Sequence, residues 1–214
     1  MISDYDLCVF CAKLYDPKAT GWSELWTEDQ WGLTAAKAML QDTTVVIHRG
    51  STTPLDWYND AVSEFVKEDP KLGSLPLGFS RPLRGWYEAH RPSFSSGMVL
   101  LGHSLGAARA VEHAGMLVAD GLVPRAVVVW GEPKAGMHQL AQVLTRTTVH
   151  SYRNLDDPVC TVPVTIGLLN WQHGHELTAL NAPAAPNDSW GLLRHHHIEL
   201  YEAGMAKLSP MPNA

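Results

Sequence analysis

The sequence lacks the features that mark several large classes of protein. Its 214 residues contain no run of about 18 apolar residues, so no membrane-spanning helix is expected. Sixteen Lys and Arg stand against 22 Asp and Glu, which gives a formal net charge of −6, and no basic cluster with interleaved aromatic residues occurs. A nucleic-acid partner is therefore not expected, because such a partner requires a basic protein face.

Cysteine is also scarce, with Cys8, Cys11 and Cys160 as an odd set of three. No charged-then-apolar leader opens the sequence, so we expect a reducing, cytoplasmic setting, with leaderless secretion or release by lysis left open. Cys8 and Cys11 form a single C-x-x-C motif on a predicted helix. Their spacing puts both thiols on one buried face, which favours a core role over a redox or zinc site.

The chain has an ordinary globular composition, with 45% hydrophobic and 18% charged residues. Its length predicts one domain spanning residues 1–214. The apolar patterns predict strands at residues 33–40 (which could instead be helical), 43–49, 98–101, 126–131 and 148–154, and helices at residues 3–15, 56–67, 105–119 and 196–207. Pro and Gly predict mostly loop at residues 69–85, and residues 155–194 are also rich in turn formers. Alternating strands and helices indicate an α/β fold with a mostly parallel sheet covered on both faces.

The motif Gly102-His103-Ser104-Leu105-Gly106 joins the buried strand to the small-residue helix. A sharp strand-to-helix turn exposes the corner side chain, and glycine two residues away on each side removes steric clashes. We therefore interpret Ser104 as a nucleophile and the Leu105 N–H at the helix start as an oxyanion donor. His103 is expected only to pack.

A serine nucleophile needs a base and an orienting acid, which follow it in the chain order Ser, acid, His in this type of fold. Asp157 lies just past the strand at residues 148–154, and Asp156 beside it is an alternative acid. The later histidines at positions 173, 175, 195, 196 and 197 are the candidate bases, and only the last three open a helix.

Several stretches together resemble the class 3 lipase family of α/β-hydrolases. They are VVIHRGSTTPLDWYNDA, LLGHSLGAARA, VVWGEPKAG, YRNLDDPVCTVP, WQHGHEL and HHIELYEAGMAKL, which occur in the family's order over residues 30–207. The resemblance implies an α/β-hydrolase fold and a serine hydrolase that cleaves carboxylic esters of lipids or other acyl groups. It implies no cofactor, and a lipid substrate would allow transient contact with a lipid surface.

Carried over by position, the resemblance implies Ser104 as nucleophile, Asp157 as acid and His196 as base. His196 is favoured because Tyr201 lies five residues on, with His197 as the alternative. The resemblance also implies Ser51 as the second oxyanion-hole donor beside Leu105, and a lid over residues 52–60.

Three other interpretations compete with ester hydrolysis. An acyltransferase or a thioesterase would use the same triad, and a non-catalytic hydrolase-fold protein would only bind a partner. The histidines at positions 195–197, with His173 and His175, could also suggest a metal site. We expect no metal there, because adjacent histidines on a helix point in different directions.

Overall fold

The structure is a computed structural model that describes residues 2–28, 33–51, 66–164, 169–184 and 190–208. The predicted lid over residues 52–60 lies outside the described residues, as does most of the predicted helix at 56–67. The end of that prediction is wrong, because Val66 and Lys67 begin a strand. No helix in the described ranges is long and apolar enough to cross a membrane.

A seven-stranded sheet and a separate two-stranded hairpin make up the β-structure of the described residues. The strands are β1 (Glu24–Glu28), β2 (Leu33–Leu40), β3 (Thr43–His48), β4 (Val66–Asp69), β5 (Gly73–Pro76), β6 (Val99–His103), β7 (Ala126–Trp130), β8 (Thr148–Asn154) and β9 (Leu177–Leu180). The main sheet has the order β1-β2-β3-β6-β7-β8-β9, and β4 pairs with β5. Strands β3 and β6 to β9 are parallel, whereas β1 and β2 are antiparallel additions at one edge.

Helices cover both faces of this sheet, as the sequence predicts. They are α1 (Asp4–Ala12), α2 (Leu77–His90), α3 (Leu105–Ala119), α4 (His138–Leu144) and α5 (Ile198–Leu208). Short 3-10 turns lie at Lys13–Tyr15, Arg91–Ser93, Pro158–Thr161 and Gly191–His196. Successive residues of β7 face opposite cores: Val129 belongs to the core with α2, α3 and α4, whereas Trp130 belongs to the core with α1 and α5. Every residue of β6 is buried, which fits a central parallel strand.

Helix α1 buries the two thiols of the C-x-x-C motif. Cys8 and Cys11 are both free and essentially inaccessible, in the core between the sheet and α5. The helix begins with a capping box, in which the Ser3 side chain accepts from the Asp6 N–H and the Asp6 carboxylate accepts from the Ser3 N–H. Burial raises the pKa of both thiols, which keeps them protonated. The predicted core role of the pair is confirmed.

The prediction of a mostly irregular segment at residues 69–85 is wrong. This stretch contains β5 and most of α2, and Pro82 lies inside the helix. Phe79, Leu83 and Trp86 recur at helical spacing and are buried against α3 and the sheet. Burying this apolar face outweighs the hydrogen bond that Pro82 cannot donate.

Other boundaries agree more closely with the sequence. Helix α3 and strand β8 have the predicted limits. The final helix begins at Ile198 rather than at about residue 196, because the preceding residues form the 3-10 turn Gly191–His196.

Substituting Phe79 tests whether α2 is part of the core. Phe79 is fully buried, so Phe79→Ala should lower the free energy of unfolding by about 3–5 kcal/mol. Leu25 in the edge strand β1 is 56% exposed, and Leu25→Ala should change it by only about 0.5 kcal/mol. Urea unfolding followed by tryptophan fluorescence measures both, and equally small losses would restore the loop interpretation.

Candidate active site

Ser104 is the single residue between the end of β6 and the start of α3. Its backbone has φ 62° and ψ −133°, a conformation that an L-residue adopts only under strain. The Ser104 N–H donates to the Trp130 carbonyl at the end of β7 at 3.0 Å, which holds the corner against the neighbouring strand. The local geometry is therefore that of a strand-to-helix elbow with a serine at its apex.

Glycine is required on both sides of this elbow. A Cβ on Gly102 would lie 2.2 Å from the Gly106 carbonyl oxygen, and a Cβ on Gly106 would lie 2.1 Å from the His48 carbonyl oxygen. Both distances are far below van der Waals contact with rigid backbone. The first glycine lets the helix turn back over β6, and the second lets that helix approach the end of β3.

The loop after β3 lies directly against Ser104. A Cβ on Gly50 would be 2.8 Å from the Ser104 Cβ, so the Gly50 backbone passes close to the serine side chain, and Ser51 is the next residue of this loop. Leu105 is the first residue of α3, and its N–H has no carbonyl acceptor within the helix. Both residues that the sequence assigns to the oxyanion hole thus lie on the two segments that flank Ser104.

Asp157 is fully buried and has three hydrogen-bond donors. Its Oδ2 accepts from His196 Nδ1 at 2.6 Å and from the Tyr201 hydroxyl at 2.5 Å, and its Oδ1 accepts from the Val159 N–H at 2.9 Å. Burial opposes its ionisation, but the attraction of His196 and these hydrogen bonds hold the pKa of the carboxyl below its usual value. Asp156, the alternative acid, has an exposed side chain.

The three adjacent histidines have three different partners. His195 Nδ1 pairs with the Asp156 carboxylate, His196 Nδ1 with Asp157, and the His197 ring lies 4.2 Å from the Trp190 ring between centroids. His195 and His196 end a 3-10 turn, in which successive side chains point about 120° apart. Of the three, the structure joins only His196 to the buried acid.

The His196 ring lies against the carboxyl edge of the sheet beside the elbow. A Cβ on Gly131, next to the Trp130 carbonyl that holds Ser104, would be 2.7 Å from His196 Cε1. The His196 ring also stacks on that of His103, with 4.7 Å between centroids. Because Nδ1 bonds Asp157, Nε2 is the ring nitrogen that the predicted base role would use.

The prediction that His103 only packs is wrong, because both of its ring nitrogens make hydrogen bonds. Its Nε2 donates to the His196 carbonyl at 2.8 Å, and its Nδ1 accepts from the Tyr15 hydroxyl at 2.9 Å. That hydroxyl accepts in turn from the Gly50 N–H at 3.1 Å. A hydrogen-bonded chain therefore links the loop after β3, which carries Gly50 and Ser51, to the backbone of the candidate base His196.

Burial fixes the protonation of this chain. Burial and the neighbouring His196 hold the pKa of His103 well below its usual value, so the ring is neutral. Burial raises the pKa of Tyr15, so the phenol keeps its proton and can donate it to His103. The direction of each hydrogen bond in the chain follows from these two states.

Two further residues near Asp157 were not identified from the sequence as positioning groups. Asn154, at the end of β8, uses its side-chain amide to donate to the carbonyls of His195 and Ala182 and to accept from the Ala182 N–H. The Tyr201 hydroxyl accepts from the Asn154 N–H and donates to Asp157. The sequence signal was the Asn-x-x-Asp spacing, which marks Asn154 without saying which carbonyls it holds.

A strained serine at a strand-to-helix elbow, beside a buried His–Asp pair, is the arrangement of serine hydrolases with the α/β-hydrolase fold. Residues 45–166 match the family model described as lipase (class 3), so the chain belongs to the class 3 lipase family. The enzyme is a carboxylic ester hydrolase. The predicted fold and family are both confirmed.

Solved fungal lipases share this fold. The lipase of Rhizopus microsporus var. chinensis has a TM-score of 0.68 at 16% identity, over 96% of this chain and 86% of that chain. The mono- and diacylglycerol lipase of Aspergillus oryzae has 0.66 at 18%, over 90% and 86%. The triacylglycerol lipase of Penicillium expansum has 0.63 at 16%, over 84% and 79%. No curated protein sequence matches the chain significantly.

Replacing Tyr15 tests the link between the loop after β3 and the base. Tyr15→Phe removes both the donor to His103 and the acceptor of the Gly50 N–H. Losing an oxyanion donor outright costs about 10²–10³ in turnover. Tyr15 holds Gly50, one residue before the predicted donor Ser51, so we expect a smaller loss: about a tenfold fall in kcat, with KM little changed. Tyr5→Phe in α1 is the matched control. Unchanged kcat in Tyr15→Phe would reduce the residue to packing.

Proposed function

We propose that the enzyme hydrolyses lipid or other acyl esters through a covalent acyl-enzyme on Ser104. In this proposal His196 is the general base, Asp157 orients it, and the N–H groups of Leu105 and Ser51 bind the oxyanion. The 2.6 Å hydrogen bond between His196 Nδ1 and Asp157 carries the proposal, because it joins a histidine beside the elbow to a buried carboxylate.

The chemistry follows from these roles. Ser104 Oγ attacks the ester carbonyl carbon while its proton passes to His196 Nε2. The tetrahedral intermediate collapses, the bond to the leaving alcohol breaks, and His196 gives that proton to the departing oxygen. Water then attacks the acyl carbon and gives a proton to His196. The bond between the acyl carbon and Ser104 Oγ breaks, His196 returns the proton to Oγ, and the acid leaves.

Asp157 stabilises the imidazolium that forms in each step. Its pKa is held below the usual value, so it stays ionised across the working pH range and does not take the proton itself. Tyr201 and the Val159 N–H bond the same carboxylate and restrict its rotation. The acid therefore presents a fixed negative charge to the His196 ring.

The oxyanion would lie between the start of α3 and the loop after β3. The N-terminal end of α3 adds its partial positive charge to the Leu105 N–H. Ser51 follows Gly50, whose contact with the Ser104 Cβ brings this loop within reach of the developing charge. The Ser51 N–H is the proposed second donor, with its hydroxyl as a further one.

A lipid-type ester is the substrate class that the comparisons favour. The Aspergillus oryzae and Penicillium expansum enzymes are named as lipases of mono- and diacylglycerols and of triacylglycerols. Carried to this chain, these names support an acyl ester of glycerol or a related alcohol. Hydrolysis rates across chromogenic esters of increasing acyl length would define the preferred chain.

The same assay distinguishes the alternatives. Added alcohol that receives the acyl group faster than water would indicate an acyltransferase, and faster cleavage of thioesters than of matched esters would indicate a thioesterase. Absence of both turnover and covalent labelling would indicate a binding protein with a hydrolase fold.

Removing the nucleophile is the direct test of the acyl-enzyme. Ser104→Ala should abolish labelling by a fluorophosphonate probe and lower ester turnover by about 10⁴-fold or more, because the hydroxyl forms the covalent bond. Mass spectrometry locates the label on the wild-type chain. Labelling that persists in Ser104→Ala would assign the nucleophile to another residue.

The base is tested by three parallel alanine variants. His196→Ala should lose activity nearly as completely as Ser104→Ala, because the two residues act as a unit. His195→Ala and His197→Ala should stay within about tenfold of wild type, since their rings contact Asp156 and Trp190 instead. An inactive His197→Ala beside an active His196→Ala would transfer the role to His197.

A further inference from the structure

A second cluster of titratable side chains takes no part in the proposed reaction. Glu132, His173 and His175 each offer one ligand atom, and these atoms all lie within 4.8 Å of one another. From the sequence, the two histidines could be grouped with the histidines at positions 195–197. In the structure their partner is Glu132, which follows β7 and is 1% exposed.

The contacts inside the cluster converge on the Glu132 carboxylate. Its Oε2 lies 2.7 Å from His175 Nε2 and accepts from the Ser151 hydroxyl at 2.7 Å. Its Oε1 faces His173 Nδ1 at 3.4 Å. Ser151 and His175 therefore share one oxygen of the carboxylate, and His173 faces the other.

The tautomer of His173 is set by a backbone carbonyl. His173 Nε2 lies 2.9 Å from the Cys160 oxygen, which can only accept, so this nitrogen carries the proton. In the neutral ring Nδ1 then presents a lone pair to Glu132 Oε1, which is also an acceptor. Neither atom has a hydrogen-bond partner among the described residues, although both are buried.

Two buried acceptors that face each other require a cation between them. A proton on His173 would provide one, and a metal ion would bind the same two atoms and reach His175 as well. Ligating histidines commonly donate their other ring N–H to a backbone carbonyl, which is the contact that His173 makes to Cys160. The cluster thus has both the donor atoms and the outer support of a metal site.

The segment that carries both histidines is held against α4 and against the loop that precedes it. Gln172 pairs with Gly136, with its N–H donating to the Gly136 carbonyl at 3.0 Å. A Cβ on Gly174, between the two histidines, would lie 2.9 Å from the Ala141 Cα, so only glycine fits this close approach. Both histidine side chains of this segment reach the same carboxylate, that of Glu132.

We propose that Glu132, His173 and His175 bind a divalent transition-metal ion, with zinc the ion that this donor set fits best. Two imidazole nitrogens and one carboxylate oxygen form a common zinc ligand set that leaves a fourth position for water. Magnesium and calcium prefer oxygen ligands alone, so imidazoles argue against them.

The position of the site gives it a structural role near the triad. His173 holds the carbonyl of Cys160, which lies in the 3-10 turn that follows Asp157. Glu132 follows Gly131, against which the His196 ring packs. A metal here would fix both neighbouring segments without contacting the ester, so zinc is expected to stabilise the fold rather than to take part in the chemical step.

Zinc binding by the full-length protein tests the proposal, after a chelator has removed any metal acquired during purification. Calorimetric titration should give one zinc per chain. Thermal unfolding should show a higher midpoint with zinc than without it. Glu132→Gln and His175→Asn should each weaken zinc binding by about tenfold or more and remove the thermal shift. Cobalt should give the visible absorption of a tetrahedral site in wild type and not in these variants.

The histidines at positions 195 and 197 supply the matched control, because histidines outside the cluster can also collect zinc. A His195→Asn, His197→Asn double variant should bind zinc as tightly as wild type. Ser151→Ala is a milder substitution that keeps all three ligands, and it should weaken binding less than Glu132→Gln. Circular dichroism without metal verifies that each variant is folded.

Two results would overturn the proposal. One is the absence of stoichiometric zinc binding by wild type, which would leave a buried ion-paired cluster with His173 protonated. The other is zinc binding that survives in folded Glu132→Gln and His175→Asn but is lost in the control double variant.

Discussion

Three backbone segments meet at Ser104 with no space for a methyl group between them, and the active site depends on this close contact. Gly102 packs on the first turn of α3, Gly106 on the end of β3, and Gly50 on Ser104 itself. The contacts enforce the strained backbone of Ser104, a conformation that costs about 1–3 kcal/mol. The same contacts fix the start of α3 and the loop after β3, so the nucleophile and both proposed oxyanion donors share one rigid support.

Local sequence patterns are sufficient to predict the limits of a helix or strand where burial and periodicity agree. Strand β8 and helix α3 have the predicted limits, because an apolar pattern and clear end signals coincide in each. The loop prediction for residues 69–85 fails because Pro and Gly are local signals, whereas Phe79, Leu83 and Trp86 are buried only by contact with other elements. Local propensity is outweighed there by tertiary packing.

The candidate site follows the same division. Ser104 carries its own local signal, and the sequence also points to Asp157 and His196, which the structure joins by a hydrogen bond while their catalytic roles stay a prediction. Tyr15 could not be found, since its partner His103 lies 88 residues away and a lone tyrosine in a helical pattern indicates only packing. Glu132 could not be identified from the sequence either, because its histidine partners are 41 and 43 residues further along the chain.

The hydrogen-bonded chain from Gly50 through Tyr15 and His103 to His196 has a consequence for how the enzyme acquires activity. It joins Tyr15 to His103 across 88 positions and His103 to His196 across 93, so large loops of chain must be ordered before its links can form. Residues 45–166, which match the family model, contain Ser104 and Asp157 but neither Tyr15 nor His196. We therefore expect the sheet and the elbow to form before this chain of hydrogen bonds closes. Recovery of ester hydrolysis during refolding would then report the docking of the two ends of the chain rather than the formation of the sheet.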